Sequence, residues 1–123
     1  MALRYLWVAL GGAAGAVARH GINQAVGARP FPWATLLINV SGSFALGAVL
    51  YVAGHRDWSP EVTAAVGVGF LGAYTTFSTF TFEAFGLGRT DRALTAALYV
   101  GVSVVVGILA AAAGHTAARV LST

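Results

Sequence analysis

Three long stretches of this chain contain no charged side chain, and they restrict its possible folds more than any other feature. They run over residues 30–54, 62–82 and 93–118, and the last one is interrupted only by His115. A helix crosses a bilayer core of about 30 Å with roughly 20 mainly apolar residues, so each stretch is long enough to do so. A shorter stretch between Arg4 and Arg19 completes a set of four if its helix continues past Arg19.

The composition agrees with a membrane protein and argues against a soluble or disordered chain. Hydrophobic residues make up 58% of the 123 residues and charged residues only 9%, whereas soluble domains have about 25% charged residues. Disorder requires low hydrophobicity and high charge. We therefore predict one all-α membrane domain over residues 1–123, with four transmembrane helices at about 3–26, 32–54, 60–83 and 91–118.

Helix-end signals accompany these predicted spans. Ser59-Pro60-Glu61 has the form of an N-cap, a proline at the first helical position and an acid in the first turn. Thr90-Asp91 is expected to begin the fourth span in the same way. The glycines of residues 86–89 indicate a loop between the third and fourth spans.

Seven arginines and no lysine provide all the fixed positive charge, and they are scattered singly. This scatter argues against nucleic acid as a partner in spite of the net charge of +3. With four spans, three arginines lie on one side of the membrane and three or four on the other, so the positive-inside rule gives no preferred orientation. We expect the chain to insert both ways and to pair antiparallel with itself; the alternative is that one arginine fixes a single topology.

Polar side chains within the spans are costly in lipid and therefore suggest a role or an internal partner. Thr35, Asn39 and Ser43 are spaced at i, i+4 and i+8, so they share one face of the second span. Their N–H and O–H donors could replace part of the water shell of a passing anion. The alternative is that Asn39 only bonds a neighbouring helix.

The third span contains an unusual run of threonine, serine and aromatic residues over 69–80. Threonine hydroxyls compete for backbone groups, so we predict a helix that is broken near the membrane centre. Phe77 and Phe80 are three residues apart, and the electropositive edges of two phenyl rings could face an anion. Ordinary core packing is the alternative for this pair.

The remaining polar residues are few. Tyr99 and Ser103 lie one turn apart on the fourth span and form a possible hydroxyl track. Arg19 near the end of the first span could draw anions into a vestibule or extend to the lipid headgroups. The sequence has no cysteine, no nucleophile–base pair and no cluster of metal-ligating side chains, so we do not expect an enzyme.

Three motifs in order resemble the small fluoride channels of the Fluc or CrcB family. Residues 12–20 (GAAGAVARH) are similar to that family's GxxGAxxRY, residues 34–44 (ATLLINVSGSF) to its GTLxVNxxGxF, and residues 69–80 (GFLGAYTTFSTF) to its third-span motif. The resemblance implies an antiparallel, dual-topology homodimer with two pores in the cell membrane. It also implies a sodium ion at the dimer centre, held by backbone carbonyls at the positions of Gly72 and Thr75.

The resemblance assigns the fluoride path as well. Asn39, Phe77 and Phe80 match the residues that line it, and a hydroxyl track continues through the positions of Thr79, Tyr99 and Ser103. Ser43, on the same face as Asn39, is expected to add a further donor. Three positions depart from the family pattern, namely His20, Ala73 and Gly107.

We therefore predict a fluoride-selective channel that lets cytoplasmic fluoride escape passively and so reduces its toxicity. One alternative is a small dual-topology exporter of the multidrug-resistance type, which would need a carboxylate in its first span; this chain has none there. A second alternative is a structural membrane subunit that only binds a partner.

Overall fold

The computed structural model describes all 123 residues, which form helices and connecting loops without strands. The elements are α1 (Ala2–Val26), α2 (Trp33–His55), α3 (Pro60–Thr63), a π-helix (Ala64–Leu71), α4 (Gly72–Tyr74), α5 (Phe77–Arg89) and α6 (Ala93–Leu121). Two of them, α2 and α6, are long and apolar enough to cross a membrane.

The chain leaves the helical conformation for two residues inside the predicted span 60–83. Helical structure runs without a gap from Pro60 to Tyr74 and begins again at Phe77. Thr75 and Thr76 between them are extended, with φ and ψ of −79° and 157° at Thr75 and of −148° and 123° at Thr76. The segment from Pro60 to Arg89 thus consists of two helical parts joined by an extended dipeptide.

The predicted N-cap at Ser59 is confirmed. The Val62 N–H donates to the Ser59 hydroxyl oxygen at 3.2 Å, and Pro60 is the first helical residue. The prediction that Thr90-Asp91 caps α6 is wrong, because α6 begins at Ala93 and no side chain caps it. The Thr90 hydroxyl instead donates to the Gly86 carbonyl oxygen at 3.2 Å, so it closes the end of α5.

The predicted loop at residues 86–89 is also wrong, because α5 continues through it to Arg89. Glycine costs only about 1 kcal/mol in a helix relative to alanine, whereas burying a leucine side chain stabilises by about 1.5–3 kcal/mol. Leu87 is 9% exposed and belongs to a cluster with Phe80 and Tyr99. Burial of Leu87 is therefore large enough to offset the weak helix propensity of the two adjacent glycines, which cost about 2 kcal/mol together.

Small residues allow the helices to approach closely in two pairs, α1 with the π-helix and α2 with α6. A Cβ atom on Gly11 would meet the Ala65 carbonyl oxygen, and one on Gly15 would meet the Phe70 carbonyl oxygen. Helix α1 and the π-helix are therefore in close contact at these two glycines. Gly114 of α6 contacts the Phe44 carbonyl of α2 in the same way.

The chain buries few of its residues. Only 12 of the 123 are buried, and many large apolar side chains remain exposed along the helices. Exposed apolar area on this scale is typical of a surface that contacts lipid or another protein.

Candidate functional site

A groove of about 280 Å³ lies where α2 passes the interruption between α4 and α5. The residues that line it are Asn39, Gly42, Ser43, Leu46, Gly67, Leu71, Gly72, Thr75, Thr76, Phe77 and Phe80. Four residues predicted for the anion path and both positions predicted for the cation are in this set. The fold therefore brings together residues that lie on two separate spans of the sequence.

Asn39 joins α2 to the interruption through both ends of its side-chain amide. The Asn39 Nδ2 group donates to the Thr76 carbonyl oxygen at 3.0 Å, and the Thr76 N–H donates to Asn39 Oδ1 at 2.8 Å. The amide nitrogen carries two hydrogens, so one N–H donor remains after these bonds. Asn39 thus links α2 to the third span, which was the alternative prediction for this residue. Its second amide N–H remains available as a donor in the groove.

Thr76 is also the N-cap of α5. Its hydroxyl oxygen accepts a hydrogen bond from the Thr79 N–H at 3.3 Å, and its hydroxyl donates to Thr79 Oγ1 at 3.1 Å. The first N–H groups of a helix have no partner within it, and the helix dipole is positive there. Phe77, the first residue of α5, lines the groove, so this groove has the polarity that attracts an anion.

The two phenylalanines of the predicted path differ in their surroundings. Their ring centroids are 6.1 Å apart, with an interplanar angle of 57°. Phe80 is 9% exposed and packs against the Tyr99 ring at 5.1 Å in an edge-to-face arrangement. Phe77 also lines the groove but is 77% exposed.

Three of the predicted hydroxyl residues do not line the groove. Thr79 is connected to the groove only indirectly, through its two hydrogen bonds to Thr76, which does line the groove. Tyr99 is fully buried, and its hydroxyl donates to Glu83 Oε1 at 3.2 Å. The Ser103 oxygen is the only buried side-chain polar atom without a hydrogen-bond partner. A buried hydroxyl without a partner is costly, so Ser103 has an unused capacity for a ligand.

The predicted cation positions lie on the other side of the interruption. Gly72 and Thr75 line the groove at the end of the first helical part, where carbonyl groups have no partner within the helix and the dipole is negative. The Thr75 hydroxyl donates to the Leu71 carbonyl oxygen at 2.8 Å, so it does not compete for a ligand. Backbone carbonyls at an unwound helix are suitable ligands for sodium.

Arg19 is not part of this arrangement. It is partly buried on α1, makes no ion pair or side-chain hydrogen bond, and does not line the groove. The one ion pair in the structure joins Arg4 to Glu61 at 3.5 Å.

Thr76 is the residue of the site that the sequence analysis missed. It binds Asn39 through its backbone and caps α5 through its side chain. Threonine is a favoured N-cap residue, so its place before Phe77 could have indicated the start of a new helix.

Comparisons with known proteins agree with the motifs that line the groove. The sequence profile of a family described as "CrcB-like protein, Camphor Resistance (CrcB)" matches residues 6–115. The fluoride-specific ion channel FluC of Acidobacterium capsulatum is 47% identical over 113 residues, covering 88% of this chain and 90% of that protein. The protein of the same name from Deinococcus radiodurans is 46% identical over 115 residues, covering 90% and 91%. The FluC of Hahella chejuensis is 43% identical over 121 residues, covering 94% of each chain.

The match over residues 6–115, together with identities above 40% across most of the chain, shows that this protein belongs to the CrcB-like family.

Proposed function

We propose that this membrane protein is a subunit of a fluoride-selective ion channel, which lets fluoride leave the cell passively and so reduces its toxicity. The observation that carries the proposal is the groove, in which the free N–H of Asn39, the N-terminus of α5 and the Phe77 ring meet. The relatives named as fluoride-specific channels identify the anion.

Fluoride is small and strongly hydrated, so a pore must replace the hydrogen bonds that its water provides. The free Asn39 N–H and the first N–H groups of α5 are donors of this kind. The edges of Phe77 and Phe80 add weak electrostatic attraction. No charged side chain lines the groove, so dipoles and ring edges, rather than a fixed positive charge, hold the ion.

The path continues from the groove through the hydroxyls of Ser43, Thr79, Tyr99 and Ser103. The buried Ser103 oxygen without a partner supports this route, because an ion or water in the path would satisfy it. Arg19 attracts anions at the vestibule rather than at the groove. The interruption at Thr75 and Thr76 lies near the membrane centre.

The functional unit in this proposal is an antiparallel, dual-topology homodimer with two pores in the cell membrane. The near-equal division of the arginines between the two sides of the four predicted spans supports insertion in both orientations. The exposed Phe77 ring supports a groove that a second copy completes. The chain has no cysteine, so a Thr123→Cys variant offers a single label: labelling from both membrane faces supports dual topology, and labelling from one face contradicts it.

A structural sodium ion sits at the dimer centre in this proposal, held by the backbone carbonyls of Gly72 and Thr75. The groove position of both residues at the end of a helical part supports this assignment. An anomalous or ion-replacement signal at the dimer axis tests it, and density for water alone would contradict it.

Growth of a bacterial strain that lacks its own fluoride export tests the function in cells. Expression of the chain should restore growth in medium with fluoride, whereas the Asn39→Asp variant should not. If a proton gradient instead drives uptake of a cationic dye into vesicles, the exporter alternative is correct. Copurification with a fixed partner, and no ion flux, would support a structural subunit.

A further inference from the structure

We infer that Ser41 and Tyr74 are positioning residues, which fix the interrupted third span against α2 through one side-chain hydrogen bond. The Ser41 and Tyr74 hydroxyl oxygens are 2.9 Å apart. The Ser41 hydroxyl donates to the Ile38 carbonyl oxygen at 3.1 Å. A hydroxyl has one hydrogen, so Tyr74 is the donor in the bond between the two side chains.

The bond lies where it can control the interruption. Tyr74 is the last residue of α4, directly before the extended Thr75 and Thr76. Ser41 follows Asn39 by two residues on α2. Asn39 holds the interruption on its downstream side through the Thr76 backbone, and Ser41 holds it on its upstream side.

Gly42, the residue after Ser41 on α2, also packs against the interruption. A Cβ atom on Gly42 would meet the Thr75 methyl group and the Tyr74 ring. Helix α2 therefore contacts three consecutive residues, 74 to 76. The Ser41 hydroxyl contacts residue 74, the Gly42 backbone packs against residue 75, and the Asn39 amide bonds residue 76. The absence of a side chain at Gly42 lets the two hydrogen bonds form at the same time.

The Tyr74 ring is stacked on the Phe70 ring, with centroids 5.9 Å apart and an interplanar angle of 11°. This stacking fixes the direction of the Tyr74 side chain. The ring does not line the groove, so its hydroxyl is directed to α2 rather than to the ion. Through this bond Tyr74 sets the position of the Gly72 and Thr75 carbonyls and of the α5 N-terminus.

Hydrogen exchange of the backbone amides over residues 74–79 tests the inference without relying on transport. Tyr74→Phe keeps the stacked ring and removes only the hydroxyl, and Ser41→Ala removes the acceptor. Each should speed the exchange of this segment by roughly two- to tenfold, the effect of one lost hydrogen bond. The double variant should match either single variant, because both remove the same bond. Ser41→Thr should retain wild-type exchange.

Tyr51→Phe is the matched control, because the Tyr51 ring stacks on His55 and its hydroxyl makes no hydrogen bond. It should leave exchange over 74–79 unchanged. Wild-type exchange in both Tyr74→Phe and Ser41→Ala, or additive effects in the double variant, would overturn the inference.

The consequence for transport rests on the proposed channel function. Fluoride efflux should fall severalfold in Tyr74→Phe and Ser41→Ala, should fall no further in the double variant, and should recover in Ser41→Thr. Efflux equal to wild type in both single variants would remove the positioning role. If the wild-type chain carries no fluoride, the proposed function fails, while the exchange pattern still decides whether Ser41 and Tyr74 fix the interruption.

Discussion

The Asn39 side chain and the Thr76 backbone form a reciprocal pair of hydrogen bonds, 3.0 Å from Nδ2 to the carbonyl oxygen and 2.8 Å from the N–H to Oδ1. This pair satisfies two backbone groups that the extended interruption would otherwise leave without a partner. It also holds the start of α5 beside the groove. One side chain thus stabilises the irregular backbone and keeps a single N–H donor, which the proposed function assigns to the ion.

Asn39→Asp should abolish fluoride efflux. A carboxylate keeps the acceptor for the Thr76 N–H, but it faces the Thr76 carbonyl without a donor and adds negative charge to the groove. Two like charges 4 Å apart at an effective dielectric of 20 repel by about 4 kcal/mol, so we expect efflux to fall by at least about a hundredfold. Efflux from proteoliposomes, read by a fluoride electrode, measures the change.

Gln24→Glu is the matched control for this charge change, because Gln24 is exposed on α1 and lies outside the groove. It should transport at the wild-type rate. Normal efflux in Asn39→Asp would remove Asn39 from the path.

Phe80→Ile should slow fluoride efflux by at least about tenfold, because it keeps apolar bulk but deletes the ring edge that the proposed function assigns to the anion. The variant also loses the edge-to-face contact with Tyr99, which costs about 0.5–1.5 kcal/mol of unfolding free energy. Phe82→Ile on the same helix is the control, since Phe82 is 73% exposed. Unchanged transport in Phe80→Ile would show that the ring edge plays no part.

Ser103→Ala should lower fluoride efflux without lowering the stability of the fold. The Ser103 oxygen has no hydrogen-bond partner, so its removal should leave the free energy of unfolding unchanged or raise it by about 1 kcal/mol. Fluoride efflux should nevertheless fall severalfold if the hydroxyl contacts the ion. Ser78→Ala, at an exposed position of α5, should change neither quantity. Wild-type efflux in Ser103→Ala would exclude Ser103 from the track.

Gly15→Ala should destabilise the fold by about 1–3 kcal/mol, because the new methyl group would overlap the Phe70 carbonyl oxygen. Gly21→Ala on the same helix has nothing within 4 Å and should stabilise by about 1 kcal/mol through helix propensity. Unfolding titrations in detergent measure both. Equal stabilities for the two variants would contradict the close packing of α1 on the π-helix.

Hydropathy was sufficient to predict the two long apolar helices, α2 and α6, because a helix satisfies the backbone groups of such a stretch in lipid within the stretch itself. Helix ends were less predictable. The Ser59 cap depends on residues next to one another and was correct. The end of α5 depends on the burial of Leu87 in a cluster with Phe80 and Tyr99, and such a contact between distant residues leaves no local signal.

The same limit applies to the site. Spacing placed Thr35, Asn39 and Ser43 on one face of α2, but helical periodicity identifies a face and not its partner. The bonds of Asn39 to Thr76 and of Ser41 to Tyr74 join residues 37 and 33 positions apart, so only the fold reveals them. The fluoride specificity and the sodium site came from motif resemblance rather than from residue chemistry, which indicates only a small anion.

Efflux from liposomes that contain the purified chain tests the central claim most directly. Vesicles loaded with equal concentrations of the potassium salts of fluoride and chloride are diluted into medium free of both anions. A potassium ionophore balances the charge, and ion-selective electrodes follow the two anions in parallel. The proposed channel should release fluoride rapidly without any proton gradient and should retain chloride. Chloride release as fast as fluoride release would contradict fluoride selectivity, and no release of either ion would contradict the channel itself.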